Sequence, residues 1–183
     1  MCCKGTTVLG TLVLVLQILC FLLDIVGSFY STWYLVQRKE FISIDSEIRV
    51  SYYGNAWNEC TESVLFKRCE DIHTDWLIAV RAFSVSCFLV FLAAIIVVIV
   101  QMCLKSKTKV VYIVAVCLTF TGAICAIIAI AVYAVEAKGD ASNFSLGFHI
   151  TAVVFGLGIL AGMLETIELV KVNSGKVGIS NKN

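Results

Sequence analysis

Four long apolar runs, separated by polar stretches of very unequal length, organise this chain. The runs fall at 7–27, 76–104, 110–135 and 148–170. Each is long enough to cross a hydrocarbon core, which takes about 20 residues of helix. Residues 82–100 and 110–135 carry no charged side chain. A soluble helix keeps a polar face, so the pattern argues against four buried helices of a soluble domain. It predicts an all-α four-helix transmembrane bundle. The first run is longer than a signal-peptide core and no small-residue cleavage site closes it, so it is expected to remain as the first span.

Only the stretch 28–75 is long enough to fold outside the bilayer. Within 41–50, Ile42, Ile44, Ile48 and Val50 alternate with Ser43, Asp45, Glu47 and Arg49. A period of two marks a half-buried strand. Residues 31–37, rich in aromatic and apolar side chains, predict a neighbouring strand. Residues 56–60 and 64–69 predict a hairpin that turns near 61–63. The result is a small antiparallel β-sheet on the helix ends. Such a sheet is marginal in water by itself.

Composition supports this division. The 183 residues are 60% hydrophobic and 15% charged, without proline. A soluble domain is about half apolar and about a quarter charged. The net charge of +1 is uninformative, but its distribution is not. Lys4, Lys105, Lys107, Lys109, Lys171, Lys176 and Lys182 gather at one end of the spans. The positive-inside rule makes that end cytosolic, with both termini. The 28–75 stretch then lies outside and is net acidic. The loop 105–109 is too short for a domain, so the second and third spans form an antiparallel hairpin. The polar tail 171–183 is expected to lack regular structure.

Cysteine usage follows the same topology. Cys60 and Cys69 are the two cysteines of the outer stretch, in an oxidising compartment, and have one pairing open to them. That crosslink would add about 2–4 kcal/mol. Cys20, Cys87, Cys117 and Cys125 lie within spans and read as small packing residues. Cys2, Cys3 and Cys103 lie at the inner membrane boundary, where S-acylation competes with an unmodified thiol. The second outer stretch, 136–147, holds the sequon Asn143-Phe144-Ser145. It stands so close to the last span that an unglycosylated Asn143 is the expectation.

Little in the chain suggests catalysis. His73 and His149 have no carboxylate or cysteine at metal-ligand spacing, so no metal and no cofactor is expected. There is no phosphate-binding loop and no nucleophile elbow. The few basic residues hug the membrane face, which argues against nucleic acid. Membrane lipid is the partner the composition requires. Asp24 and Arg81 lie near the outer ends of their spans, where a charge pairs or reaches the interface. Arg81 has three outlets: the interface, Asp24, or backbone carbonyls of the outer sheet. Ala152, Gly156, Gly158 and Gly162 give the last span small residues for close helix approach, either within the bundle or in a dimer.

Three local patterns resemble the claudin superfamily, which also holds epithelial membrane proteins, peripheral myelin proteins and stargazin-like calcium-channel gamma subunits. Trp33 follows the first span where claudins have a tryptophan. Asn55-Ala56-Trp57-Asn58-Glu59-Cys60, with Cys69 beyond, looks like the family's Gly-Leu-Trp-x-x-Cys and its second cysteine. Trp76-Leu77-Ile78-Ala79-Val80-Arg81-Ala82-Phe83 looks like the start of the claudin second span, arginine included. Departures mark a divergent member. Asn55-Ala56 replaces Gly-Leu, the cysteine spacing is one residue shorter, and Lys182-Asn183 is no ligand for a PDZ domain.

The resemblance implies a plasma-membrane protein, not an enzyme, that works at cell–cell junctions through its outer sheet. It implies lateral self-association, adhesion, and a paracellular barrier or channel. Asp45, Glu47, Glu70 and Asp71 become candidates for an ion-preference or partner surface, with a merely solvated loop as the competing reading. The stargazin-like branch implies instead an auxiliary subunit of a larger channel or receptor, and the peripheral myelin branch a membrane organiser.

Overall fold

The computed structural model describes residues 8–30, 32–43, 46–54, 56–63, 66–71, 74–103, 109–136 and 144–180. Its elements are helix α1 (Val8–Ile25), strands β1 (Tyr34–Ser43), β2 (Ser46–Gly54), β3 (Asn58–Glu62) and β4 (Lys67–Asp71), and helices α2 (Asp75–Cys103), α3 (Lys109–Glu136) and α4 (Leu146–Ser180). Between α1 and β1 the chain winds through a wide π-type turn, Val26–Tyr30. All four helices are long and apolar enough to span a membrane. They form a closed ring in which α1 touches α2 and α4, and α3 touches α2 and α4.

The seam of this ring is a heptad pattern. Buried positions are Gly10, Val13, Gln17, Cys20 and Asp24 on α1. On α2 they include Leu77, Val80, Ser84, Cys87, Phe91, Ala94 and Val98. On α3 they include Ala115, Thr119, Gly122, Ala126, Ala129 and Tyr133. On α4 they include Gly147, Thr151, Val154, Gly158, Ala161, Glu165 and Glu168. Every step is three or four residues, the spacing that keeps one stripe of a helix facing its partners in a left-handed bundle. Large apolar side chains such as Leu19, Leu22, Ile78, Leu89, Ile124 and Leu160 point outward instead. Lipid is as apolar as a core, so nothing drives them in.

Small residues set the helix spacing. A Cβ on Gly158 would meet Phe91 and Ala123 at 3.1 Å, and one on Gly162 would meet the Phe120 ring at 2.9 Å. These two glycines therefore serve contacts inside the bundle. Ala152 and Gly156 face outward.

The seam alternates apolar and polar layers. Trp33, Ala56, Leu77, Val80, Ala129 and Tyr133 close the sheet end. Cys20, Cys87, Phe91, Ala126 and Val154 fill the middle. Val13, Val98 and Ala115 fill the far end. Asp24, Ser28 and Ser84 fall between the first two clusters, and Gln17, Thr119 and Glu165 between the last two.

The sheet has the order β1-β2-β3-β4, antiparallel throughout. It departs from the sequence expectation in three places. Residues 41–50 do not form one strand. Ser43 pairs with Ser46, and the ladder between β1 and β2 is irregular between Phe41 and Ser43. The periodicity carries only one mark of this break, the polar Ser46 in place of an apolar residue. The second hairpin starts two residues later than expected, because Ala56 is drawn into the core and Trp57 toward the helix ends. Its turn is closed by the Ser63 amide donating to the Phe66 carbonyl at 2.9 Å, not at 61–63. The tail, expected to be irregular, continues α4 to Ser180. It contains no proline to stop the helix.

Candidate functional site

The site worth describing is the disulfide-pinned sheet and its seat on the helices. Cys60 and Cys69 stand directly opposite each other on β3 and β4. Their sulfurs are bonded, with Cα atoms 4.1 Å apart. The crosslink therefore joins two neighbouring strands and leaves the β1–β2 hairpin free of it.

Two tryptophans hold the sheet down. The last carbonyls of a helix lack backbone partners, and α1 ends directly beneath the sheet. Trp33 Nε1 donates to the Gly27 carbonyl at 2.7 Å. Trp57 Nε1 donates to the Ser28 carbonyl at 2.9 Å. Both indoles thus satisfy carbonyls of the π-type turn that follows α1 while their rings pack elsewhere. Trp33 is fully buried, edge-on to Tyr133 with centroids 4.7 Å apart. Trp57 stacks on Phe29 at 5.2 Å. The Trp33 main chain continues the sheet, its amide donating to Gly54 at 2.7 Å, and its carbonyl accepts from the Ser145 amide at 2.8 Å. One residue therefore ties α1, β2 and the start of α4 together.

Arg81 supplies the third fastening. Its Nε donates to the Ala56 carbonyl at 2.7 Å and its Nη2 to the Trp57 carbonyl at 2.9 Å. The guanidinium also lies 5.4 Å from the Trp57 ring centroid, within cation–π range. Of the outlets open to this arginine from sequence, the structure displays the sheet carbonyls. Arg81 thus closes the connection between β2 and β3 onto α2.

The outer surface is charged and paired. Arg68 meets Glu70 at 2.5 Å and Lys67 meets Glu62 at 3.7 Å, all four exposed. Tyr53 donates to Glu62 at 2.9 Å. The Lys67 ammonium is held above its usual range, first by its contact with Tyr53 and then by Glu62. Glu59 stands opposite Glu70 across the ladder, and Asn58 opposite Asp71. At the hairpin tip, Phe66 leaves 55% of its surface exposed.

The remaining sequence candidates scatter. Glu47 pairs with Phe41 in the β1–β2 ladder, while Asp45 lies outside the described residues. Cys103 is exposed at the last residue of α2; Cys2 and Cys3 lie outside the described residues. So does Asn143, although Phe144 of its sequon stacks on Phe148 at 4.2 Å and Ser145 is bonded to Trp33. Sequence reasoning missed Gln17. An amide in mid-span is a signal in its own right, and Gln17 donates to Thr119 and Glu165.

Residues 5–165 match the PMP-22/EMP/MP20/Claudin family. The chain belongs to this family. Membership and the four long apolar helices together make it a claudin-like multi-pass membrane protein, with the antiparallel sheet on one end of the bundle. No individual curated protein matches its sequence. Within the PMP-22/EMP/MP20/Claudin plan, Trp33, Trp57 and Arg81 are here the fasteners between the sheet and the bundle.

Proposed function

We propose that this protein works at cell–cell contacts in the plasma membrane, with both termini cytosolic, and that its outer sheet associates with other copies to form an adhesive barrier or a paracellular ion path. The observation that carries this reading is the sheet itself. It is a short four-stranded layer fixed to the membrane helices by three separate anchors, with β1 and β4 as its edge strands. Edge strands present unpaired backbone groups that favour pairing with another chain. The exposed Phe66 at the hairpin tip offers an apolar anchor beside them. Three apolar layers in the bundle seam favour a path between copies over one through a single copy.

The acidic excess of the outer stretch favours cations in such a path. Glu70 is the sharpest candidate, tempered by its pairing with Arg68. Expression in cells without junctions tests the reading. Lateral strands at contacts and raised or ion-selective transepithelial resistance are expected. Stoichiometric purification with a larger channel in mild detergent, without self-association, would favour the auxiliary-subunit reading instead.

A further inference from the structure

The polar layer of Gln17, Thr119 and Glu165 has an unfinished hydrogen-bond account. Thr119 donates its one hydroxyl proton to the Ala115 carbonyl at 3.0 Å. It accepts from the Gln17 amide nitrogen at 2.8 Å. The same nitrogen donates to Glu165 Oε1 at 2.6 Å. Both amide protons are then used. Two acceptors remain without a hydrogen-bond partner, Gln17 Oε1 and Glu165 Oε2. They belong to the two groups already in contact, and both residues are buried, at 0% and 3% exposure.

Two orphan acceptors on touching groups lack one thing, a proton between them. We propose that Glu165 is carried as the neutral carboxylic acid and that a proton is the ligand of this layer, held on Glu165 Oε2 and donated to Gln17 Oε1. A single proton completes both atoms. It removes a charge that hydrocarbon surroundings disfavour, and it turns the three side chains into a neutral latch joining α1, α3 and α4. Glu168, one turn along α4, is the nearest other acid on that helix. Asp24, two turns along α1 and beyond Cys20, is the nearest on the helix opposite. Both are buried. Neither neighbour is a cation, so the described seam gives Glu165 no counter-charge to favour ionisation. Loss of the proton would leave a buried anion with Gln17 Nε2 as its donor and its Oε2 facing an acceptor, and would loosen α1 from α4.

The test is infrared difference spectroscopy of the full chain in bilayers at neutral pH, wild type against Glu165→Gln. Subtracting the variant is expected to reveal a carboxylic-acid carbonyl band belonging to Glu165. A carboxylate signature in its place would overturn the proposal. The glutamine amide replaces the acid hydroxyl with a donor, so Glu165→Gln is expected to fold; failure to fold also counts against the proposal. The second readout is thermal unfolding in mild detergent. A group neutral in the fold and ionised when unfolded makes the native state bind more protons, so stability falls as pH rises. Wild type is expected to lose melting temperature from mildly acidic to mildly alkaline pH more steeply than Glu165→Gln. Equal slopes, or a wild-type melting temperature raised by sodium, would place something other than a proton there.

Discussion

The bundle and the sheet put their polar groups in opposite places. On the helices, Gln17, Thr119 and Glu165 face the seam while leucines and isoleucines face out. On β4, Lys67, Arg68 and Glu70 are exposed to either side of the strand, while Trp33 and Ala56 fill the space between sheet and helices. The same rule produces both. Apolar surface is removed from water, and polar groups go wherever they find a partner. Lipid relieves the helices of any need to hide their large side chains, so packing of small residues and hydrogen bonds between helices select the seam. Water leaves the sheet only its underside to bury.

The junction between the two environments rests on very few residues, and substitutions there should separate the regions most sharply. Trp33→Ala removes a fully buried indole and its bond to Gly27, an expected loss of about 3–5 kcal/mol. Unfolding in detergent and surface delivery in cells both measure it, and a protein of normal stability would mean the sheet does not depend on this seat. Cys60→Ser should lower stability by about 2–4 kcal/mol. Its effect should concentrate on β3 and β4, with amide exchange rising there and remaining slow in α2 and α3.

Changes inside the bundle should follow packing and leave the sheet alone. Gly158→Val forces a branched side chain against Phe91 and Ala123, with an expected cost of about 1–3 kcal/mol read from thermal unfolding. An unchanged melting temperature would show that α3 and α4 can separate without penalty. Arg81→Lys keeps the charge but replaces a two-donor fork by a point donor. About 1 kcal/mol should be lost, accompanied by faster exchange in the β2–β3 connection. The smallest effect belongs to Lys67→Ala, because exposed ion pairs contribute little. No measurable change in unfolding is expected, and a clear one would mean the outer face is more than a solvated surface.

Much of this design can be read from the chain, for reasons that differ by region. The spans are legible because a membrane demands long apolar runs whatever their partners. The Cys60–Cys69 pair is legible because they are the two cysteines of the one long polar stretch. The inner stripe of each helix is legible only in part, because most seam-facing and lipid-facing positions are equally apolar and a few polar residues such as Gln17, Thr119 and Glu165 are its marks. The β1–β2 break is faint for a related reason: Ser46, a polar residue where the alternation calls for an apolar one, is its single mark within 41–50. Trp33 and Trp57 stand out in sequence as motif residues, yet nothing there says that their indoles serve the carbonyls of Gly27 and Ser28.

The sequence alone settles the number of spans, the one large polar stretch and its strand-forming character, because each depends on the solvent a segment must face. The tertiary structure decides which side of each helix is the seam, where the hairpins turn, and what the buried Gln17, Thr119 and Glu165 touch. Those depend on contacts between residues as far apart as Gln17 and Glu165, and the few polar and small residues that mark a seam in lipid do not say which residue on which helix they meet.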